Sequence, residues 1–269
     1  AALEIGLSGA AFFSDEDCLI AAAGPGFALW MDDRPMPMWT AIYIRRNRVI
    51  RLVKNGPGNW AYLAVHGGIA TPPVLGARAV YVRAPLGDAP ARPLAPGDRL
   101  PVGSAAHPLL ELAGRTLDPA CIPYSPSPQI AVIPGPQAAQ FSGEARAAFY
   151  TARFALSAAS DRTGYRLSGP PIPYAGGEMV SEGMARGSVQ IPPDGQPIVM
   201  QADSPTTGGY PKIAAVIRAD QPILAQTPFD MGGVQFVETT IEAAQARYRA
   251  LIQRLDGGIG LADAEREWL

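Results

Sequence analysis

Short apolar runs broken by turn-forming residues dominate the first half of the chain. Residues 3–7, 18–23, 27–31, 41–44, 49–53, 60–65 and 80–83 each have strand length and β-forming composition. Between them lie Gly24-Pro25-Gly26, Asp32-Asp33-Arg34-Pro35, Asn55-Gly56-Pro57-Gly58 and Thr71-Pro72-Pro73, all of which favour chain reversal. That spacing predicts an antiparallel barrel or sandwich. In the second half, 129–133 reads as a strand running into Pro134-Gly135-Pro136, and 137–150 has room for one or two short helices. Residues 151–157 set Phe154 and Leu156 against Arg153, Ala155 and Ser157, the alternation of a strand with one buried face. Further strands are expected at 197–200, 213–217 and 234–238, with a short helical turn at 220–226. A longer helix is expected to start at Thr240, capped by Thr239 or Thr240, and to end at Gly257-Gly258. Ala244, Tyr248, Leu251, Ile252 and Leu255 form its packing stripe.

Composition narrows the class. With 48% hydrophobic and 17% charged residues the chain has a real core and is not intrinsically disordered. The 29 glycines and 28 prolines leave little room for long helices. A length of 269 residues suits one large or two ordinary domains, and the proline-rich stretch 113–129 reads as a connection, giving domains 1–125 and 126–269. A net charge of −2 points to neither nucleic acid nor an anionic membrane surface. The basic group Arg45, Arg46, Arg48, Arg51 and Lys54 falls among strand residues and reads as a solvated hairpin end. Cys18 and Cys121 lack metal-ligand spacing, and no apolar run approaches the ~20 residues of a membrane span. A reduced, cytoplasmic protein without a metal site is therefore expected.

Candidate chemistry gathers in the second half. Two turn clusters, Pro192-Pro193-Asp194-Gly195 and Thr206-Thr207-Gly208-Gly209-Tyr210-Pro211, flank the apolar run 197–200. In the second cluster Gly208-Gly209 supplies freedom at positive φ and bare N–H groups, Thr206 and Thr207 add hydroxyls, and Asp203 and Lys212 put opposite charges at either end. Such a nest suits an anionic or planar polar ligand; an equal alternative is a hairpin whose glycines serve geometry alone. Arg162 and Arg166 place two guanidinium forks around Asp161, suited to a carboxylate or phosphate, though Arg162 has acids nearby to pair with. Glu182 adds an acid, and Gln190 or Gln196 can offer a lactam or ureido group both a donor and an acceptor. His66 and His107 lack ligand-spaced partners and read as structural, and Asp32-Asp33 as a solvated turn. No Ser-His-Asp set, HExxH, Walker A or Rossmann glycine string occurs. What remains suits a carbonyl-type ligand that is held and polarised.

Several strings together resemble one family. Ser160-Asp161-Arg162-Thr163-Gly164-Tyr165-Arg166-Leu167-Ser168-Gly169-Pro170, Ser181-Glu182-Gly183, Gly187-Ser188-Val189-Gln190-Ile191-Pro192-Pro193-Asp194-Gly195-Gln196-Pro197-Ile198 and Thr206-Thr207-Gly208-Gly209-Tyr210-Pro211-Lys212-Ile213 are similar, in order and spacing, to the family of the 5-oxoprolinase C subunit. KipA proteins, allophanate hydrolase subunit 2 and the carboxyltransferase domain of urea carboxylase belong to the same family. Tyr62-Leu63-Ala64-Val65-His66-Gly67-Gly68-Ile69, Pro96-Gly97-Asp98-Arg99-Leu100 and Ile133-Pro134-Gly135-Pro136 extend the likeness across most of the chain. Two departures stand out. The family's opening Gln-Asp-Leu-Gly-Arg-type segment is missing, so a lacking N-terminal segment is expected. Residues 87–92, with Ala77 and Ala79, replace a glycine- and aromatic-rich loop and two serines, so a binding loop there is in question.

The resemblance implies a mainly β fold of two tandem cyclophilin-like β-barrels with a C-terminal helix. It implies one component of an ATP-dependent 5-oxoprolinase, a hydrolase of the C–N bond in a cyclic amide, working with a KipI-like B subunit and a separate A subunit. The pocket it implies lies between the barrels and includes Asp203, Gly208, Gly209 and Tyr210. On this reading Asp203 and Glu182 are the catalytic candidates, Asp203 orienting or deprotonating the amide nitrogen. Arg166 holds the carboxylate, and Arg162, Gln190, Gln196, Thr207, Gly208, Gly209, Tyr210 and Lys212 line the ligand. The same family leaves two alternatives: a biotin-dependent carboxyltransferase acting on urea, and a KipA-like regulator that binds a KipI-type kinase inhibitor.

Overall fold

A computed structural model describes residues 1–84, 92–229 and 233–262. The stretch 87–92 lies outside them apart from Arg92. The chain divides into two compact units, Ala1–Gly56 with Trp60–Cys121 and Gly257–Leu269, and Pro57–Asn59 with Ile122–Asp256. Among the described residues no helix is long and apolar enough to cross a membrane.

In the first unit β1 (Leu3–Ile5), β2 (Ala10–Ser14), β3 (Cys18–Ala23), β4 (Phe27–Met31), β5 (Arg34–Met36), β6 (Ala41–Ile44), β7 (Arg48–Lys54) and β8 (Ala61–Val65) form two four-stranded antiparallel sheets, β1-β8-β3-β6 and β2-β7-β4-β5. Their inward positions, among them Ile20, Leu29, Ile42, Leu52 and Leu63, share one core. A helical turn, α1 (Leu109–Leu112), precedes β9 (Arg115–Leu117). Expectation and structure part at 80–83, where Val82 and Arg83 lie in a turn and Val80 belongs to no strand. Asp32 and Asp33 are not merely solvated, since they pair with Arg48 and Arg51 at 3.0 and 3.1 Å and so tie down the basic hairpin end. His66 is held through Nε2 by the His107 carbonyl at 2.7 Å, the structural role read for it.

The second unit is a closed barrel. Its strands are β10 (Gln129–Pro134), β11 (Arg153–Leu156), β12 (Gly164–Ser168), β14 (Ser188–Gln190), β15 (Ile198–Met200), β17 (Lys212–Val216) and β18 (Gly233–Glu238), in the order β10-β17-β14-β15-β12-β11-β18. The parallel pairing of Ile130 with Phe236 closes it. Between barrel strands sit two short ones, β13 (Glu182–Gly183) and β16 (Thr207–Gly208), which pair only with each other as a ribbon. α2 (Gly143–Thr151) begins at Ser142, whose hydroxyl accepts the Ala145 N–H, and delivers Phe149 into the barrel core stacked on Phe236 at 4.6 Å. α3 (Gln221–Ala225) is the predicted helical turn, and Asn59, 2% exposed, donates to the carbonyls of Ala225 and Thr227 at 3.0 and 2.7 Å.

α4 (Ile241–Gly257) starts where Thr240 Oγ1 accepts the Ala243 N–H. Ala244, Tyr248, Leu251 and Leu255 pack on Ala131, Ile217 and Ala219, while Ile252 stays exposed one position off the stripe. β19 (Ile259–Leu261) then pairs with β9 in the first unit.

Candidate functional site

One row of side chains crosses the barrel's outer face. Strand register sets Arg166 opposite Ile198, Ile198 opposite Gln190, and Gln190 opposite Lys212. Residues directly opposed on antiparallel strands share a face, and at about 4.8 Å per strand the row spans roughly 14 Å. Tyr165 and Leu167 on either side of Arg166 are core residues, so the row faces outward. Lys212 joins it because of a bulge. Val189 opposes Ala214 while Gln190 opposes Lys212, so one extra residue stands in β17. In a regular strand Lys212 would point with Ala214 toward the core; the insertion turns it to the other face.

At one end of the row Arg166 is exposed, and no described residue accepts from its guanidinium. It lines an open hollow of about 590 Å³ together with Ser157, Asp194, Gln196, Ile198 and Tyr210. Arg162 is different: its Nε and Nη2 donate to the two oxygens of Asp203 at 2.8 and 3.0 Å, the internal pairing that its nearby acids suggested. Asp161 accepts the Thr163 and Gly164 N–H groups at 2.8 and 3.1 Å and so shapes the turn. Gln196 spends both ends of its amide on the backbone of Gly169, at 2.9 and 3.1 Å. It is a wall of the hollow whose amide is tied at both ends to the backbone.

At the other end the β13–β16 ribbon meets Gln190 and Lys212. Lys212, 6% exposed, donates through Nζ to Glu182 Oε2 at 2.8 Å and to the Gly183 carbonyl at 3.2 Å. Gln137 Nε2 donates to the same Glu182 oxygen at 3.0 Å. The Lys212 ammonium, and after it the Gln137 amide, hold the Glu182 carboxyl below its ordinary range. No described residue donates to Glu182 Oε1, and Lys212 keeps one N–H beyond the two it uses. Gln190 Nε2 donates to the Tyr210 carbonyl at 3.4 Å, leaving its own oxygen without a described donor. Tyr210 belongs to both ends, since it also lines the hollow.

The Gly208-Gly209 bend is built otherwise than its sequence suggests. Neither residue has left-handed backbone, so the positive-φ nest is not formed. A Cβ on Gly208 would stand 2.5 Å from Met184 Cε and 2.6 Å from Gln190 Nε2. A side chain there would have to push both of these side-chain ends aside, because the Gln190 amide lies against the ribbon. Thr207 is exposed and opposes Gly183.

Arg166, Gln190, Gln196, Tyr210, Lys212 and Glu182 are thus brought onto one face of the barrel, with Thr207, Gly208 and Gly209 on the ribbon above it. Asp203 does not line the hollow, and both its oxygens are engaged by Arg162, which does not suit a group that must accept a proton. Glu182, with a free oxygen beside Lys212, is the better-placed acid. Sequence reading missed Gln137, placed at the start of a helix; its partner Lys212 is 75 positions away, and only the adjacent Pro-Gly-Pro turn hinted at a close approach.

A family model described as the carboxyltransferase domain, subdomain A and B, matches residues 1–238. The 5-oxoprolinase C subunit of Escherichia coli K12 is 35% identical over 246 residues, covering 90% of this chain and 76% of that protein. The protein of the same name from Haemophilus influenzae is 32% identical over 226 residues, covering 84% and 71%. A crystal structure of the K. lactis urea amidolyase superposes with a TM-score of 0.84 at 24% identity, over 97% of this chain and 18% of that one, a likeness of fold.

Proposed function

The chain belongs to the carboxyltransferase-domain family of subdomains A and B, with the C subunit of 5-oxoprolinase among its members, and on that premise we propose that it is one component of an ATP-dependent 5-oxoprolinase. The complex opens the lactam ring of 5-oxoproline to glutamate. Its partners are an A subunit and a KipI-like B subunit. ATP supplies the activation that an unreactive lactam carbonyl needs. Water then adds at that carbon, the ring C–N bond breaks, and the nitrogen takes up a proton. One water opens the ring and a second is consumed with ATP.

This chain's own part is to hold and orient the substrate. The carboxylate seats on Arg166, whose planar fork suits two parallel hydrogen bonds to a carboxylate. The ring's methylenes lie over Ile198. The remaining Lys212 N–H polarises the lactam oxygen, and Glu182 Oε1 accepts the lactam N–H. The row offers cations for one carboxylate and one carbonyl, which does not match a triphosphate, so no ATP contact is assigned to these residues.

The observation that carries the reading is the contrast between the two arginines: Arg162 is neutralised by Asp203, while Arg166 faces the hollow with no described residue as its partner. The test is to combine this chain with its A and B partners and follow ATP turnover. Turnover dependent on 5-oxoproline supports the reading. Turnover dependent on urea, with a biotin-carrying partner, would move the chain to the carboxyltransferase class. A tight heteromer without either would favour a KipA-like regulator.

A further inference from the structure

Behind the Glu182–Lys212 pair lies a side chain that binds both of its members. Gln137 is 6% exposed and bonds through both ends of its side-chain amide and through its backbone N–H. Its Oε1 accepts the Lys212 backbone N–H at 3.1 Å, its Nε2 donates to Glu182 Oε2 at 3.0 Å, and its own N–H donates to the Lys212 carbonyl at 3.4 Å. Three segments distant in sequence therefore meet on one residue: the turn after β10, the ribbon strand β13 and the bulged start of β17.

The approach depends on the residue two places earlier. A Cβ on Gly135 would collide with the Lys212 carbonyl oxygen and stand 2.9 Å from the Ala214 nitrogen. Pro134 and Pro136 on either side restrict the turn's backbone. The Pro134-Gly135-Pro136 turn is thereby pressed flat against the bulge that swings Lys212 outward, and Gln137 is delivered across it.

We propose that Gln137 is a positioning residue: it fixes the Glu182–Lys212 pair so that Glu182 Oε1 and the third Lys212 N–H face the ligand. This rests on the 5-oxoprolinase reading for its catalytic consequence, but not for its structural one. Without Gln137 the ion pair remains attractive and Lys212 keeps its bond to the Gly183 carbonyl, but the Glu182 carboxyl loses the donor that fixes its orientation and the ribbon loses one of its ties to the barrel. Small misplacements of such groups cost catalysis far more than they cost binding.

Two substitutions separate the parts of this role. Gln137→Leu removes both side-chain bonds and leaves the buried Lys212 N–H without an acceptor. Gln137→Glu keeps that acceptor and sets a second carboxylate against Glu182, so it tests the positioning even where the leucine variant folds poorly. The first readout needs no activity: titration of the Glu182 carboxyl by carbon NMR in this chain, with the resonance assigned by its loss in Glu182→Gln. In Gln137→Glu the midpoint of Glu182 should move upward from its depressed wild-type position. The second readout is kinetic, in the complex with the A and B partners. kcat for 5-oxoproline should fall roughly tenfold to a hundredfold with KM changed far less. An unchanged midpoint overturns the proposal, as does an unchanged kcat in a wild-type complex that turns over 5-oxoproline. A wild-type complex inert toward 5-oxoproline sinks the functional reading instead, and the titration alone then decides whether Gln137 sets the pair.

Discussion

Two arginines four residues apart have opposite fates because of where the chain puts acids. Asp203 comes to Arg162 across the turn that follows β15, and no described acid reaches Arg166. Asp203→Ala should therefore lower stability by about 1 kcal/mol, the upper range for a partly exposed pair of good geometry, and leave turnover by the complex within a few fold. Loss of turnover with an unchanged melting temperature would restore Asp203 as a catalytic group. Asp220 shows a different balance. It is 0% exposed, accepts the Ala131 N–H at 2.8 Å, and has Arg247 3.0 Å from its other oxygen, within ion-pair range but not aligned as a hydrogen bond. Burial pushes its carboxyl above the ordinary value despite both contacts. The folded chain thus binds this proton more tightly than the unfolded one. The cost of the buried charge is absent below about pH 3.9 and is felt in full once pH has risen past the raised folded value. The melting temperature of the wild type relative to Asp220→Asn should accordingly improve as pH falls through that window; a difference independent of pH would show that the charge is not what burial penalises. At this scale the sequence was legible for residue type and blind to pairing. Arg162 and Arg166 were both visible as anion binders, but which one is free depends on Asp203, 41 positions from Arg162.

Elements were legible wherever local pattern and burial agree. Residues 18–23, 27–31 and 41–44 coincide with β3, β4 and β6, since their apolar residues sit between turn residues that admit few other conformations. β2 was hidden because Ala10-Ala11-Phe12-Phe13-Ser14 does not alternate: Phe12 packs inward while Phe13 is 60% exposed. β9 was hidden inside a stretch read as a connection, and its pairing is with distant segments, β19 and the bridge from Thr116 to Thr40. The ribbon is the hardest case, two residues on each side, with no hydrophobic pattern to reveal it. α2 gives an element-scale prediction. Phe149 is fully buried against Phe154 and Phe236, so Phe149→Ala should cost ~3–5 kcal/mol in equilibrium unfolding. A loss under about 1 kcal/mol would mean that the helix does not complete the barrel core.

At the scale of the whole molecule, the mainly β fold with a closed barrel and a C-terminal helix followed from strand spacing, from the sparse helical signal and from the family strings. The outer-face row did not, because it is a product of register. Arg166, Ile198, Gln190 and Lys212 come from four strands separated by turns, and the bulge that brings in Lys212 leaves no mark in composition. Relatives named as the C subunit of 5-oxoprolinase match over most of the chain, which places it in that family; the row is where we propose that a small carboxylate bearing an amide is held. The most direct test is the KM for 5-oxoproline of the reconstituted complex carrying Arg166→Ala. Loss of a charged anchor predicts a KM raised about tenfold to a hundredfold, as removing a charge-assisted hydrogen bond of ~1.5–3 kcal/mol requires, with kcat much less affected. A KM equal to that of the wild type would mean that the carboxylate is held elsewhere, and the row would lose its place as the binding site.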